Sequence, residues 1–147
     1  MRQRATWVLC FLLTPLFLEG CGNAVKAQGP FTDSSLSGTY AFQATQDQNG
    51  LPLFLAGVLT ADGNGHIVSG REEVAVQGAL CEGTLTGTYS VAADGIGTVR
   101  LTQAFPPSSV CVGTTTVLKI AIAARGEKFE FVGLTLNFAL VGTATKQ

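Results

Sequence analysis

Charge is scarce in this chain, and the little there is does not cluster. Asp, Glu, Lys and Arg make up 13% of the 147 residues and leave a formal net charge of -1. With no basic patch to neutralise phosphates and no interleaving of aromatic with basic residues, nucleic acid is excluded as a partner. Histidine is scarcer still, with His66 alone. A metal centre needs more ligands than one imidazole and a pair of thiols, so no metal and no cofactor is implied. Long apolar runs are missing too: the uncharged stretch Ala5 to Leu18 covers 14 residues and contains Pro15, against about 20 for a permanent transmembrane helix. Methionine and tryptophan occur once each, while glycine occurs 18 times. With many Thr, Val, Leu and Phe residues, that balance predicts short strands joined by glycine-rich turns rather than long helices.

The N-terminus reads as an export signal. Arg2 and Arg4 supply a positive start, the uncharged stretch supplies the apolar core, and the segment is expected to be helical. It ends in Leu18-Glu19-Gly20-Cys21, which resembles the lipobox of bacterial lipoproteins. That resemblance implies cleavage before Cys21 and lipidation of its thiol, so that the membrane is reached through an N-terminal lipid. Glu19 departs from the pattern, which favours small uncharged residues there. The alternative is a soluble, secreted product cleaved after Ala27, with Val25 and Ala27 as the two small spaced residues. The expected organisation is a signal peptide with lipobox over 1–20, a flexible Gly-, Asn-, Ser- and Gln-containing tether over 21–35, and one domain over 36–147. Loss of Arg2, Arg4 and Glu19 takes the net charge from -1 to about -2.

From Leu36 onward apolar and polar residues alternate between Gly, Asp and Asn clusters, the rhythm of strands and turns. Two echoes sharpen it. Ser37-Gly38-Thr39-Tyr40-Ala41-Phe42 returns as Thr86-Gly87-Thr88-Tyr89-Ser90-Val91, and Ala61-Asp62-Gly63-Asn64-Gly65 returns as Ala93-Asp94-Gly95-Ile96-Gly97. Asp-Gly is a strong hairpin signal, because glycine accepts the positive φ that such turns require. Eight strands are predicted, near 38–46, 52–61, 66–76, 82–92, 96–104, 114–124, 127–133 and 135–145.

One face of these strands is apolar, carrying Tyr40 and Phe42, Tyr89 and Val91, Val99 and Leu101, Leu118, Ile120 and Ile122, Phe129 and Phe131, and Leu136, Phe138 and Leu140. The fold class is therefore all-β, a small antiparallel up-and-down meander that closes into an eight-stranded barrel, with a β-sandwich as the alternative. Leu53, Leu55, Leu59, Val117, Ala121 and Val141 are placed on the outer face by this reading.

Of the four cysteines, Cys10 falls in the signal segment and Cys21 is the lipid acceptor. Cys81 and Cys111 fall at the same end of one predicted hairpin, which favours a disulfide in an oxidising compartment.

The remaining chemistry is sparse. No serine or cysteine nucleophile motif accompanies His66, and the bland reading is a surface turn histidine. Asp62, Asn64 and Glu73 match three places of a calcium loop, but Ile67 stands where that loop requires Gly. Arg71-Glu72-Glu73 is the densest charge cluster, and three neighbours on a strand cannot share one face. A glutamate turned into the barrel would read a ligand, together with Tyr40, Phe42, Tyr89, Phe129 and Phe131; the bland reading is a solvated outer face and aromatics that fill the core. Catalysis by Glu72, Glu73 or His66, as in a hydrolase, is the outlying alternative.

The Gly38–Phe42, Ala61–Gly65 and Thr86–Val91 segments, with Asp94-Gly95, resemble an exported bacterial domain family across residues 36 to 102. These motifs are turn and strand punctuation, so the resemblance implies an exported β-domain and carries over no active site. The meander is also similar in outline to calycin barrels such as lipocalins and avidins, which implies a small apolar ligand. The lipocalin Gly-x-Trp signature is missing, and Trp7 lies in the signal segment. The sequence thus leads to a non-catalytic barrel of the cell envelope that binds a small apolar ligand or an envelope protein. A structural module with a filled core is the rival.

Overall fold

The computed structural model describes residues 30–147 apart from 49, 77, 136 and 137. The expectations for the signal segment, Cys21 and Leu136, and for the side chain of Phe138, lie outside the described residues. Eight strands follow one another: β1 (Ser37–Gln48), β2 (Leu51–Asp62), β3 (His66–Val76), β4 (Ala79–Val91), β5 (Ile96–Ala104), β6 (Thr115–Ala123), β7 (Lys128–Thr135) and β8 (Phe138–Lys146). Each is antiparallel to the next, and β8 pairs back onto β1, closing the sheet into a barrel. Closure gives each of the eight described strands two hydrogen-bonded neighbours, so none of them presents a free edge to recruit another chain. The sandwich alternative is excluded by the β1–β8 ladder.

Period-two alternation is what makes the barrel. Along β4 the residues Cys81, Gly83, Leu85 and Tyr89 are buried between exposed neighbours, and along β6 so are Thr116, Leu118 and Ile120. Val99, Ile120, Phe131 and Tyr40 share one interior, as expected. Burying each such side chain contributes about 1.5 to 3 kcal/mol.

Strand β2 corrects the sequence reading. Leu53, Leu55 and Leu59 face inward, not outward, while Phe54, Ala56 and Val58 face out. Both faces of this strand are apolar, so alternation alone cannot choose between them. The choice is made by register, because Tyr40 stands opposite Leu59 and Ala44 opposite Leu55, and opposed residues share a face.

The two ends differ. At one end the segment before β1 folds under the barrel, and residues within 31–35, expected in the tether, hydrogen-bond to β4 and to the turn after it. Phe31 N–H donates to the Ala93 carbonyl at 3.1 Å, Leu36 is buried, and a short 3-10 turn spans Asp33–Ser35. The two Gly-Thr-Tyr echoes place their tyrosines here. Tyr89 Oη donates to the Leu36 carbonyl at 2.6 Å, and Tyr40 Oη donates to the Gly126 carbonyl at 2.7 Å in the β6–β7 turn. Asp33 Oδ1 accepts from Val91 N–H at 2.7 Å. The opposite end is crossed by the ten-residue connection 105–114, and the Cys81–Cys111 disulfide, with Cα atoms 6.2 Å apart, ties that connection to β4.

Candidate functional site

Whether the barrel is filled or hollow changes along its axis. Tyr40, Leu85 and Ile120 are the largest fully buried side chains, and Phe129 meets Tyr40 edge-on with ring centroids 5.3 Å apart. Tyr40, Ile120 and Phe129 pack the interior toward the closed end, while Leu85 lies midway along β4, opposite Gln103. Toward the other end the walls separate around a cavity of about 370 Å³. Its walls are mainly aliphatic and aromatic, among them Phe42, Leu55, Val74, Leu118, Phe131 and Leu140, and its mouth is framed by Val76, Phe105, Val110 and Val112. Val110 and Val112 are 74% and 80% exposed, an unusual placement for valine that leaves apolar surface at the rim.

Glycines make room for the rings that shape this space. A Cβ at Gly57 would meet Phe42 Cζ at 2.7 Å, and one at Gly142 would collide with the ring of Phe131. Gly83 stands opposite Glu72, and the volume that its side chain would take is occupied by Phe105, whose Cε1 would lie 2.6 Å from a Cβ there. Phe105 thereby bends in from the connection and roofs the wall beside Glu72.

The polar groups of the cavity are few and converge. Glu72 is 3% exposed, and among the described lining residues it is the one ionisable side chain. Its Oε2 accepts from Gln103 Nε2 at 3.0 Å, while Gln103 Oε1 accepts from the Thr114 hydroxyl at 2.8 Å. Thr116 is buried on the neighbouring wall, and Gln46 lines the space from β1. Burial pushes the Glu72 carboxyl above the usual carboxylate range, and the hydrogen bond from Gln103 opposes that rise only in part. Its other oxygen, Oε1, is buried without a hydrogen-bond partner among the described residues.

A bulge decides which glutamate enters. In β3, Thr60 pairs with Ser69 and Ala61 with Ile67, so Val68 is one residue extra. Ile67 faces in; across the extra residue the inward set becomes Glu72, Val74 and Val76 in place of Arg71, Glu73 and Ala75. Glu73 is therefore on the outer wall and lines no part of the interior. Arg71 is outside as well, with Nη2 4.0 Å from Glu82 Oε2 on two highly exposed side chains.

Of the residues expected to line a cavity, Phe42, Phe129, Phe131 and Glu72 do so. Tyr40 and Tyr89 do not, because their hydroxyls are committed to backbone carbonyls at the closed end, where burial also raises their pKa values. Gln103 and Thr116 escaped the sequence reading, since neither residue type in a Thr-rich strand signals an inward polar position. His66 sits on the outside of the β2–β3 turn, its Nδ1 3.2 Å from Asp62 Oδ2. Asp62 is spent on the turn itself, its Oδ1 accepting from the N–H groups of Asn64 and His66, which lower its pKa. His66, Glu72 and Glu73 are thus not brought together. No cluster of three or more metal-ligating side chains occurs among the described residues.

Set against known proteins, the chain matches no family model, no curated protein and no solved structure.

Proposed function

We propose that this chain is an exported lipoprotein of the cell envelope whose barrel holds a small, largely apolar molecule without transforming it. The observation that carries the reading is the cavity in the barrel: about 370 Å³ of mainly apolar-walled space with one ionisable side chain among its described lining residues, Glu72, held by Gln103. Most binding cavities for small molecules have this composition, a mainly apolar wall with few placed polar atoms. Export is supported by the Arg2 and Arg4 start with its apolar stretch, anchoring by Leu18-Glu19-Gly20-Cys21, and an oxidising destination by the Cys81–Cys111 bond.

Native mass spectrometry of the protein purified from its own envelope tests both halves. The expected spectrum shows a bound small molecule that denaturation releases, and an intact mass that starts at an acylated Cys21. A protein that carries nothing and takes up no neutral apolar fluorophore overturns the ligand reading; an unmodified N-terminus beyond Ala27 overturns the anchor.

A further inference from the structure

Resting on that reading, we infer that the barrel selects an apolar amine, its ammonium group seated on Glu72 and its hydrocarbon body lying along Phe42, Leu55, Phe131 and Leu140. The direction of the hydrogen bonds leads there. Thr114 donates to the Gln103 carbonyl oxygen, which turns the Gln103 amide nitrogen toward Glu72, where it donates to Oε2. The chain of donors therefore runs inward and stops at the carboxylate, leaving Oε1 as a buried acceptor with no donor among the described residues.

Nor do the described residues provide a counter-ion. Arg71 on the same strand turns outward, Arg100 on β5 and Lys119 on β6 are on the exposed face, and β4 offers Gly83 at the level of Glu72. A carboxylate out of water is costly unless a donor or an opposite charge meets it, and an ammonium supplies both. A neutral hydroxyl supplies only the donor, with a hydrogen bond about half as strong as a charge-assisted one. A ligand carboxylate would set two like charges together in an apolar space, which the same arrangement disfavours.

The test compares three ligands with one skeleton: n-octylamine, n-octanol and n-octanoate, titrated calorimetrically at pH 7. The protein is the exported full chain carrying Cys21→Ser, which needs no detergent. The expected order is amine at least tenfold tighter than alcohol, with octanoate weakest. Glu72→Gln is expected to bring amine and alcohol within about threefold of each other. If amine and alcohol bind equally to the chain with Glu72 intact, or if octanoate binds best, the amine assignment is overturned while the cavity reading stands. If the preference for amine survives Glu72→Gln, the ammonium sits elsewhere and the assignment is again overturned. If none of the three binds, the cavity reading itself fails. The ranking with Glu72 intact decides the matter even if Glu72→Gln does not fold.

Discussion

At the scale of single residues, Glu72 is where the barrel gives up stability for a polar interior. Its carboxyl titrates above the ordinary range because burial disfavours the charged form. Between the ordinary carboxylate pKa and this raised value the folded chain holds a proton that the unfolded chain has lost. Stability accordingly falls as pH rises through that window. Below the window the penalty is absent, and above it the penalty is complete. Glu72→Gln removes the titration while keeping the shape, so its advantage over the unsubstituted protein should grow as pH rises from the ordinary carboxylate range through the raised value. Denaturation midpoints of the two proteins across that range measure it. Parallel curves would mean that Glu72 does not titrate where its burial says it should.

At the scale of elements, β3 and the 105–114 connection build the site, and they were not equally legible. All eight strands could be read from alternation and turn chemistry, since Asp62-Gly63 and Asp94-Gly95 mark two of the hairpins directly. What alternation could not reveal is Val68. A single extra residue inverts the facing of everything after it, so Glu72 and Glu73 were indistinguishable until the pairing of β2 with β3 was known. The outward placement of the β2 leucines failed for a related reason, in that a strand apolar on both faces carries no signal of its own. The disulfide was readable because two half-cystines at the same end of a hairpin need only strand count. Its work is to hold Phe105, Val110 and Val112 at the rim. Cys111→Ser should therefore lower stability by roughly 3 to 4 kcal/mol, the chain-entropy value for a closed loop of about 30 residues. It should also open the 105–114 connection to proteolysis. A midpoint and cleavage pattern unchanged from the oxidised protein would show that the connection is held by packing alone.

At the scale of the whole molecule, the barrel is a tube stoppered at one end. The stopper consists of the 31–36 segment and the β6–β7 turn, which meet where Gly126, at φ +90°, packs against the Ser35 backbone. A side chain at position 126 would both collide with the Ser35 carbonyl and force a left-handed backbone on a residue that resists it. Gly126→Ala is expected to destabilise the domain by roughly 1 to 3 kcal/mol, with thermal unfolding lowered by several degrees per kcal/mol. An unchanged melting temperature would mean that the stopper contributes little to folding.

The stopper also sets where the chain enters. The polypeptide reaches the barrel from the plugged base, and eight residues lie between Cys21 and Pro30, nine Cα steps that span at most about 32 Å when fully stretched. A lipid on Cys21, were it present, would be joined to the barrel on its plugged side, at the end opposite the mouth. The attachment point and the opening of the cavity would then lie at opposite ends of one tube, so tethering and access to the interior need not compete for the same surface.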